Sequence, residues 1–165
     1  MLNPIDTDTV IRDGGATGHF PGQIHEGVAW WIGACLVVAT KSTRIAVAHD
    51  GQPTSATFHQ RLCQGAINAQ HYACRVTDLH TADETELLAA MADLGHAPGA
   101  LITTTTTPDG ETVRIILYGA EGRPLTEDTG LAQIRRLIAD DQVPIPVNHA
   151  SKGHVEPHTA RESQT

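Results

Sequence analysis

Residues 99–118 read GALITTTTTPDGETVRIILY, and their reading decides the fold. Gly99 to Thr103 is apolar and rich in strand formers, and so is Thr112 to Tyr118. Only a short loop separates them. A parallel return needs a crossover of about a dozen residues, so this pair must be antiparallel.

Working outward, Arg44 to His49 is another short apolar strand, followed by the turn-rich Asp50-Gly51-Gln52-Pro53. Thr54 or Ser55 is placed to cap a helix running to about Gln70, with Phe58, Leu62, Cys63, Ala66 and Ile67 as its apolar stripe. Tyr72 to Leu79 alternates and predicts a further strand. Thr81 or Asp83 caps a helix over 84–94, which Gly95 ends. Earlier, Ile24, Val28, Trp31, Ile32, Cys35, Leu36 and Ala39 recur at helical spacing over 23–40, with Trp30 and Trp31 as core and edge packing. Residues 126–139 predict a last helix, its first turn carrying Glu127 and Asp128. Strands and helices in this order predict a three-layer α/β/α domain with a mixed four-stranded sheet, three strands parallel and one antiparallel.

The flanks read differently. Residues 1–22, rich in Gly, Thr and Asp, are expected to be a flexible arm, residues 23–140 the domain, and residues 141–165 a disordered tail. His149, His154 and His158 fall in that tail, where no Cys or carboxylate cluster completes a metal site. The 165 residues suit one domain, and a 40% hydrophobic content suffices for its core. With aromatics at 4%, that core must be mainly aliphatic. A formal net charge of -8 argues against nucleic acid as a partner. Cys35, Cys63 and Cys74 form no CxxC pair and read as reduced core thiols. Met1 to Asp6 lacks a signal-peptide pattern, and the apolar run 28–39 is too short for a bilayer, so the expected location is the cytoplasm with no membrane contact.

Two strand ends draw attention. Residues 45–55 read IAVAHDGQPTS and residues 99–108 read GALITTTTTP; both place polar turns at the carboxyl ends of parallel strands, where open α/β sheets bind ligands. In these segments the chain resembles the phosphoglucomutase/phosphomannomutase family, the α-D-phosphohexomutases, in their first domain. Members carry V-G-R-D-x-R-x-S-S after the first strand and G-x-x-I-T-A-S-H-N-P after the third. The likeness runs collinearly from Gln23 to Ile138, through Trp31-Ile32-Gly33, Leu94-Gly95, Gly122-Arg123-Pro124-Leu125-Thr126 and Ile134-Arg135-Arg136-Leu137-Ile138.

Carried over residue by residue, the resemblance puts Thr103 on the family threonine, Pro108 on the proline and Thr105 on the serine that carries the transferable phosphate. Thr104 lies between Thr103 and Thr105. Thr106 and Thr107 stand for histidine and asparagine. Asp50 matches, whereas His49 and Gln52 stand where arginines are expected, and Arg114 falls near a family lysine. The resemblance thus implies Thr105 as a degenerate catalytic position and Thr103, Thr104, Thr106, Thr107, His49, Asp50 and Arg114 as ligand-binding positions.

Phosphoryl transfer depends on positioning and on cations that neutralise the equatorial oxygens. Family enzymes supply Mg²⁺ through the phosphoserine and a D-G-D-x-D-R motif of their second domain, and that motif is absent here. No cofactor is expected for the isolated chain, and Mg²⁺ only if other mutase domains complete it. Two readings of the threonine run stand side by side: a retained ligand-binding loop, or a β-rich segment whose residues merely favour extended backbone. His49 likewise reads either as a group titrating near neutral pH or as a strand-end residue bonded to its own loop. Three functions follow: a domain I homologue, inactive by itself, that associates as a homodimer or with a larger protein; a phosphoryl-transfer component completed by another chain; and a sugar-phosphate binder without turnover.

Overall fold

The computed structural model describes residues 6–20, 22–68, 74–140, 142 and 154–157. In chain order the elements are α1 (Thr7–Val10), β1 (Ile11–Arg12), β2 (Gly15–Phe20), α2 (Glu26–Thr40), β3 (Arg44–His49), α3 (Pro53–Ile67), β4 (Arg75–Thr81), α4 (Glu84–Asp93), β5 (Gly99–Thr107), β6 (Gly110–Tyr118), a 3₁₀ turn (Glu127–Thr129), α5 (Leu131–Ala139) and β7 (His154–Pro157). They build a three-layer α/β/α domain around a mixed sheet of seven strands in the order β1-β2-β6-β5-β3-β4-β7.

The expected nucleus is present: β3, β4 and β5 are parallel, and β6 returns antiparallel to β5. Three further strands extend it, which corrects the four-stranded expectation. β2 comes from the stretch read as an arm; it pairs with β6 from Gly15↔Ile116 to Phe20↔Glu111. Its signal is weak in the sequence because Gly15 and Gly18 interrupt the alternation. What holds this stretch is burial: Val10 and Ile11 are at most 1% exposed, and Arg135 on α5 donates to the Ile11 carbonyl at 2.9 Å. β7 comes from the stretch read as a disordered tail and lies parallel to β4, placing His154 opposite Arg75. His149 and His158 lie outside the described residues.

One face of the sheet is covered by α2 and α3, with α5 packed on α2. Ile45, Val47, Ala100, Ile102, Val113 and Ile115 point into that layer. Nine residues of α2 are buried, from Val28 to Val37 with only Trp30 excepted, so its apolar surface is wider than one stripe. The reason is close contact on two sides. Gly33 meets α3, where an added Cβ would lie 2.1 Å from the Leu62 carbonyl oxygen, and at Gly65 the equivalent atom would lie 1.9 Å from that of Trp30. The last helix also differs from expectation: Gly130, at φ 142°, separates the 3₁₀ turn from α5.

Among the described residues, the opposite face carries α4 alone. Asp83 and Glu86 cap its first turn reciprocally, and Leu87 and Met91 pack on Ala46, Ala48 and Leu101. Cys35, Cys63 and Cys74 are free and buried, and burial pushes the Cys35 thiol up to about 12. They are inert core residues, as read from the sequence.

Replacing Gly33 by Ala forces α2 and α3 apart. Chemical denaturation is expected to show a loss of about 1–3 kcal/mol or more, the range for overpacked cores; an unchanged midpoint would mean that the helix contact is not tight.

Candidate functional site

The threonine run does not leave the sheet as a loop. β5 stays in register with β6 through Thr103↔Arg114, Thr104↔Val113, Thr105↔Thr112, Thr106↔Glu111 and Thr107↔Gly110, and the hairpin closes over Pro108 and Asp109. Of the two readings, the β-rich segment is the one the structure adopts. Consecutive β-branched threonines favour extended backbone, and Gly110 at φ 128° accommodates the turn.

Side chains on a strand alternate, and this separates the candidate residues. Ile102 and Thr104 face α3. Leu101 packs beneath α4, so Thr103, Thr105 and Thr107 share that opposite face. His49 pairs with Ile102 and lies against His59 of α3. His49 and Thr104 therefore point to one side of the sheet, and Thr103, Thr105 and Arg114 to the other.

On the α3 side most polar groups near the strand ends have a partner. Asp50 accepts from the Thr104 amide through Oδ2 at 2.8 Å and from the Gln52 amide through Oδ1 at 3.0 Å. Its own amide donates to Ile102 at 3.1 Å. Ser55 and Thr104 share a buried hydroxyl hydrogen bond of 2.5 Å, and Thr54 donates to Glu111 at 2.7 Å. His49 Nδ1 accepts from the Gly51 amide at 3.0 Å. Burial, and then the adjacent His59, hold the His49 imidazole below its ordinary 6.5. Since the Thr104 amide points to Asp50, those of Thr103 and Thr105 point the other way, into the ladder with β6. The strand end thus offers no nest of free amides for a phosphate.

The α4 side is open. A cavity of about 430 Å³ at the strand ends is lined by Asp50, Thr81, Asp83, Glu84, Glu86 and Thr103 among others. Four carboxylates oppose an anionic ligand there. Tyr118 donates to Glu84 at 2.5 Å, and burial together with that carboxylate raises the phenol above its ordinary range. Beyond the cavity, Thr103, Thr105, Thr112 and Arg114 continue across the ladder to Thr17 and His19 of β2, with Thr112 and His19 hydrogen-bonded at 3.3 Å. Arg114 and Thr105 are exposed, and among the described residues no group of His, Cys, Asp and Glu is arranged to hold a metal ion. A larger cavity of about 560 Å³ lies at the other end of the sheet, between Pro98, Gly119 and Leu125, remote from these residues.

Several residues of this region escape sequence reasoning. Ser55 sits where the family motif has serine, and that spacing could have flagged it as the Thr104 partner. Glu111, Thr17 and His19 gain their places only through strand pairing, and His59 and Asp78 meet only through packing of α3 on β4.

The helices on both faces of this mixed sheet define a class, the three-layer α/β/α domains. The chain belongs to the phosphoglucomutase/phosphomannomutase family, whose alpha/beta/alpha domain I matches residues 10–143. A phosphomannomutase of Salmonella typhimurium is 27% identical over 147 residues, 88% of this chain and 31% of that protein. A Klebsiella pneumoniae phosphomannomutase is 28% identical over 137 residues, and there the match spans 82% of this chain and 83% of the relative. Among solved structures, a phosphoglucomutase/phosphomannomutase family protein from Burkholderia thailandensis aligns at TM-score 0.68 and 15% identity over 98% of this chain and 35% of its own. A Thermus thermophilus structure aligns at the same TM-score, 0.68, and 20% identity. The chain spans 31% of the length of the first Salmonella relative, about a third. No helix among the described residues is long and apolar enough to cross a membrane.

Asp50→Ala would leave the Thr104 and Gln52 amides without their acceptor. Denaturation should show a loss of about 1–3 kcal/mol, and hydrogen exchange should quicken at Thr104; unchanged exchange there would show that Asp50 is not the tie.

Proposed function

We propose that the chain serves as a phosphohexomutase domain I whose role is association with the remaining domains of such an enzyme, without phosphoryl transfer of its own. The observation that carries this is the unequal cladding of the sheet. One face is covered by helices, and the other has α4 over β3, β5 and the Tyr118 end of β6, leaving Thr17, Thr103, Thr105, Thr112 and Arg114 on a polar face with no helix above them among the described residues. Relatives about three times as long supply the chemistry of the occupant: the further domains of a phosphomannomutase or phosphoglucomutase. Arg114 and the threonine hydroxyls give such a partner directional polar contacts rather than an oily patch. Mg²⁺ would enter only with those companion domains.

The absence of transfer rests on Thr105. Its backbone is in the ladder, its hydroxyl is on the face away from His49, and the adjoining cavity is lined with carboxylates. Transfer to such a hydroxyl needs a cationic cradle and a base within reach. A sugar phosphate held by Arg114 beside Thr103 and Thr105 is the second reading; Arg114 and Thr103 are register partners on that face.

Two measurements test this. Mixing the chain with a phosphomannomutase deprived of its own first domain should give a co-migrating complex in size-exclusion chromatography, and Arg114→Glu should weaken it. Separate elution at micromolar concentrations would sink the association. Incubation with glucose 1,6-bisphosphate followed by intact mass should show no phosphate on the chain or on Thr105→Ser, alone or in that mixture. Phosphate at Thr105 would instead establish the transfer role.

A further inference from the structure

Away from the open face, α3 and β4 enclose a cluster that neither association nor phosphate binding uses. His59 on α3 is 5% exposed, and its Nε2 lies 2.8 Å from Asp78 Oδ1 on β4. With a carboxylate opposite, Nε2 carries the proton. Nδ1 of the same ring is buried and meets no partner among the described residues. A second proton would create an N–H donor where no acceptor stands, a costly arrangement in a dry site.

Two more imidazoles gather on this pair. The His49 ring stands edge-on to His59 with centroids 4.7 Å apart. His80 Nδ1 lies 3.5 Å from Asp78 Oδ2, and the His80 amide donates to Asp78 Oδ1 at 2.7 Å. The backbone is bent to allow this: β4 is bulged opposite Val47 and Ala48, and His80 sits at φ 59°, left-handed for a residue with a Cβ. Bulges and such conformations persist where surrounding contacts hold them. Asp78 Oδ1 thus accepts from two donors, the His59 ring and the His80 amide. The His59 hydrogen bond and charge outweigh the effect of burial and keep its carboxyl below the ordinary value.

The charge balance is lopsided. α3 contributes His59 and the Cys63 thiol, which senses the Asp78 charge. β3 contributes His49, with Asp50 just beyond it, and β4 contributes Asp78 and His80. β5 sets Ile102 opposite His49, and β7 sets Pro157 opposite Asp78, with Glu156 paired to Arg75. One inner carboxylate can balance one imidazolium, not two. We propose that His49 and His59, edge-on to each other above Asp78, form an acid-sensitive latch between α3 and the β3–β4 strand ends, closed at neutral pH and loosened when protonation sets two imidazolium charges against each other. Loosening would release the first turn of α3 and with it the Ser55–Thr104 contact.

The sign follows from linkage. A histidine that is harder to protonate when folded binds fewer protons than in the unfolded chain below 6.5. Its stabilising share is complete above that value and is lost as pH falls. The wild-type melting temperature should therefore drop by about 2–4 °C between about pH 7.5 and 5.5, and His49→Gln should remove most of that drop. An equal drop in the variant, or none in the wild type, overturns the latch. An NMR titration of the wild type decides independently if the variant does not fold. Ring protons of His49 should titrate below 6.5 together with the Ser55 amide. A His49 ring that titrates at its ordinary value, with a still Ser55 amide, overturns the proposal.

Discussion

Nine register pairs, from Gly99↔Tyr118 to Thr107↔Gly110, bind β5 to β6 and set the conditions for everything near the strand ends. A paired strand commits its backbone amides to its neighbours and sends alternate side chains to opposite faces. Once residues 103–107 are in that ladder, the amides of Thr103 and Thr105 are spent in it, that of Thr104 is held by Asp50, and their hydroxyls are divided between the faces. A phosphate-carrying loop needs the reverse: free amides converging on one point, with the nucleophile beside them. The family fold is kept, and the position that the resemblance assigns to the phosphate carrier lies within the ladder.

The same ladder explains how the sheet grew. β6 pairs with β5 along one edge and with β2 along the other, so a chain segment with little strand character of its own becomes a strand. Arg135 strengthens the arrangement, reaching the Ile11 carbonyl and a bidentate pair with Glu127. The hydrophobic layer beneath is held by the backbone approach of α2 to α3 at Gly33 and Gly65. With so few aromatics, dense aliphatic packing and close helices provide the core that larger rings supply elsewhere.

Charge is distributed unevenly over the strand ends. Carboxylates line the α4 side, whereas on the α3 side imidazoles cluster around Asp78. The first disfavours an anionic ligand, and the second ties α3 to β4 through the His59–Asp78 hydrogen bond. Both features follow from three-dimensional neighbours. His49 was singled out in the sequence for a motif position, yet its physical distinction is the ring of His59, ten residues on and one helix turn deeper in the core.

The sequence by itself determined the layered α/β/α class, the parallel arrangement of β3, β4 and β5, the antiparallel return of β6, the helix over 84–94 with Thr81 or Asp83 as its cap, and the family kinship. These rest on local periodicity, turn residues and loop length, which act within a few residues of each other. Only the tertiary structure decided that Gly15–Phe20 and His154–Pro157 are strands, that Thr103–Thr107 extend a ladder, and that Thr105 and His49 face opposite ways. Glycines and prolines mute the local signal in the first two. A threonine run is equally at home in a loop or a strand until a partner strand supplies the hydrogen bonds, and that partner's register is a long-range property no local pattern carries.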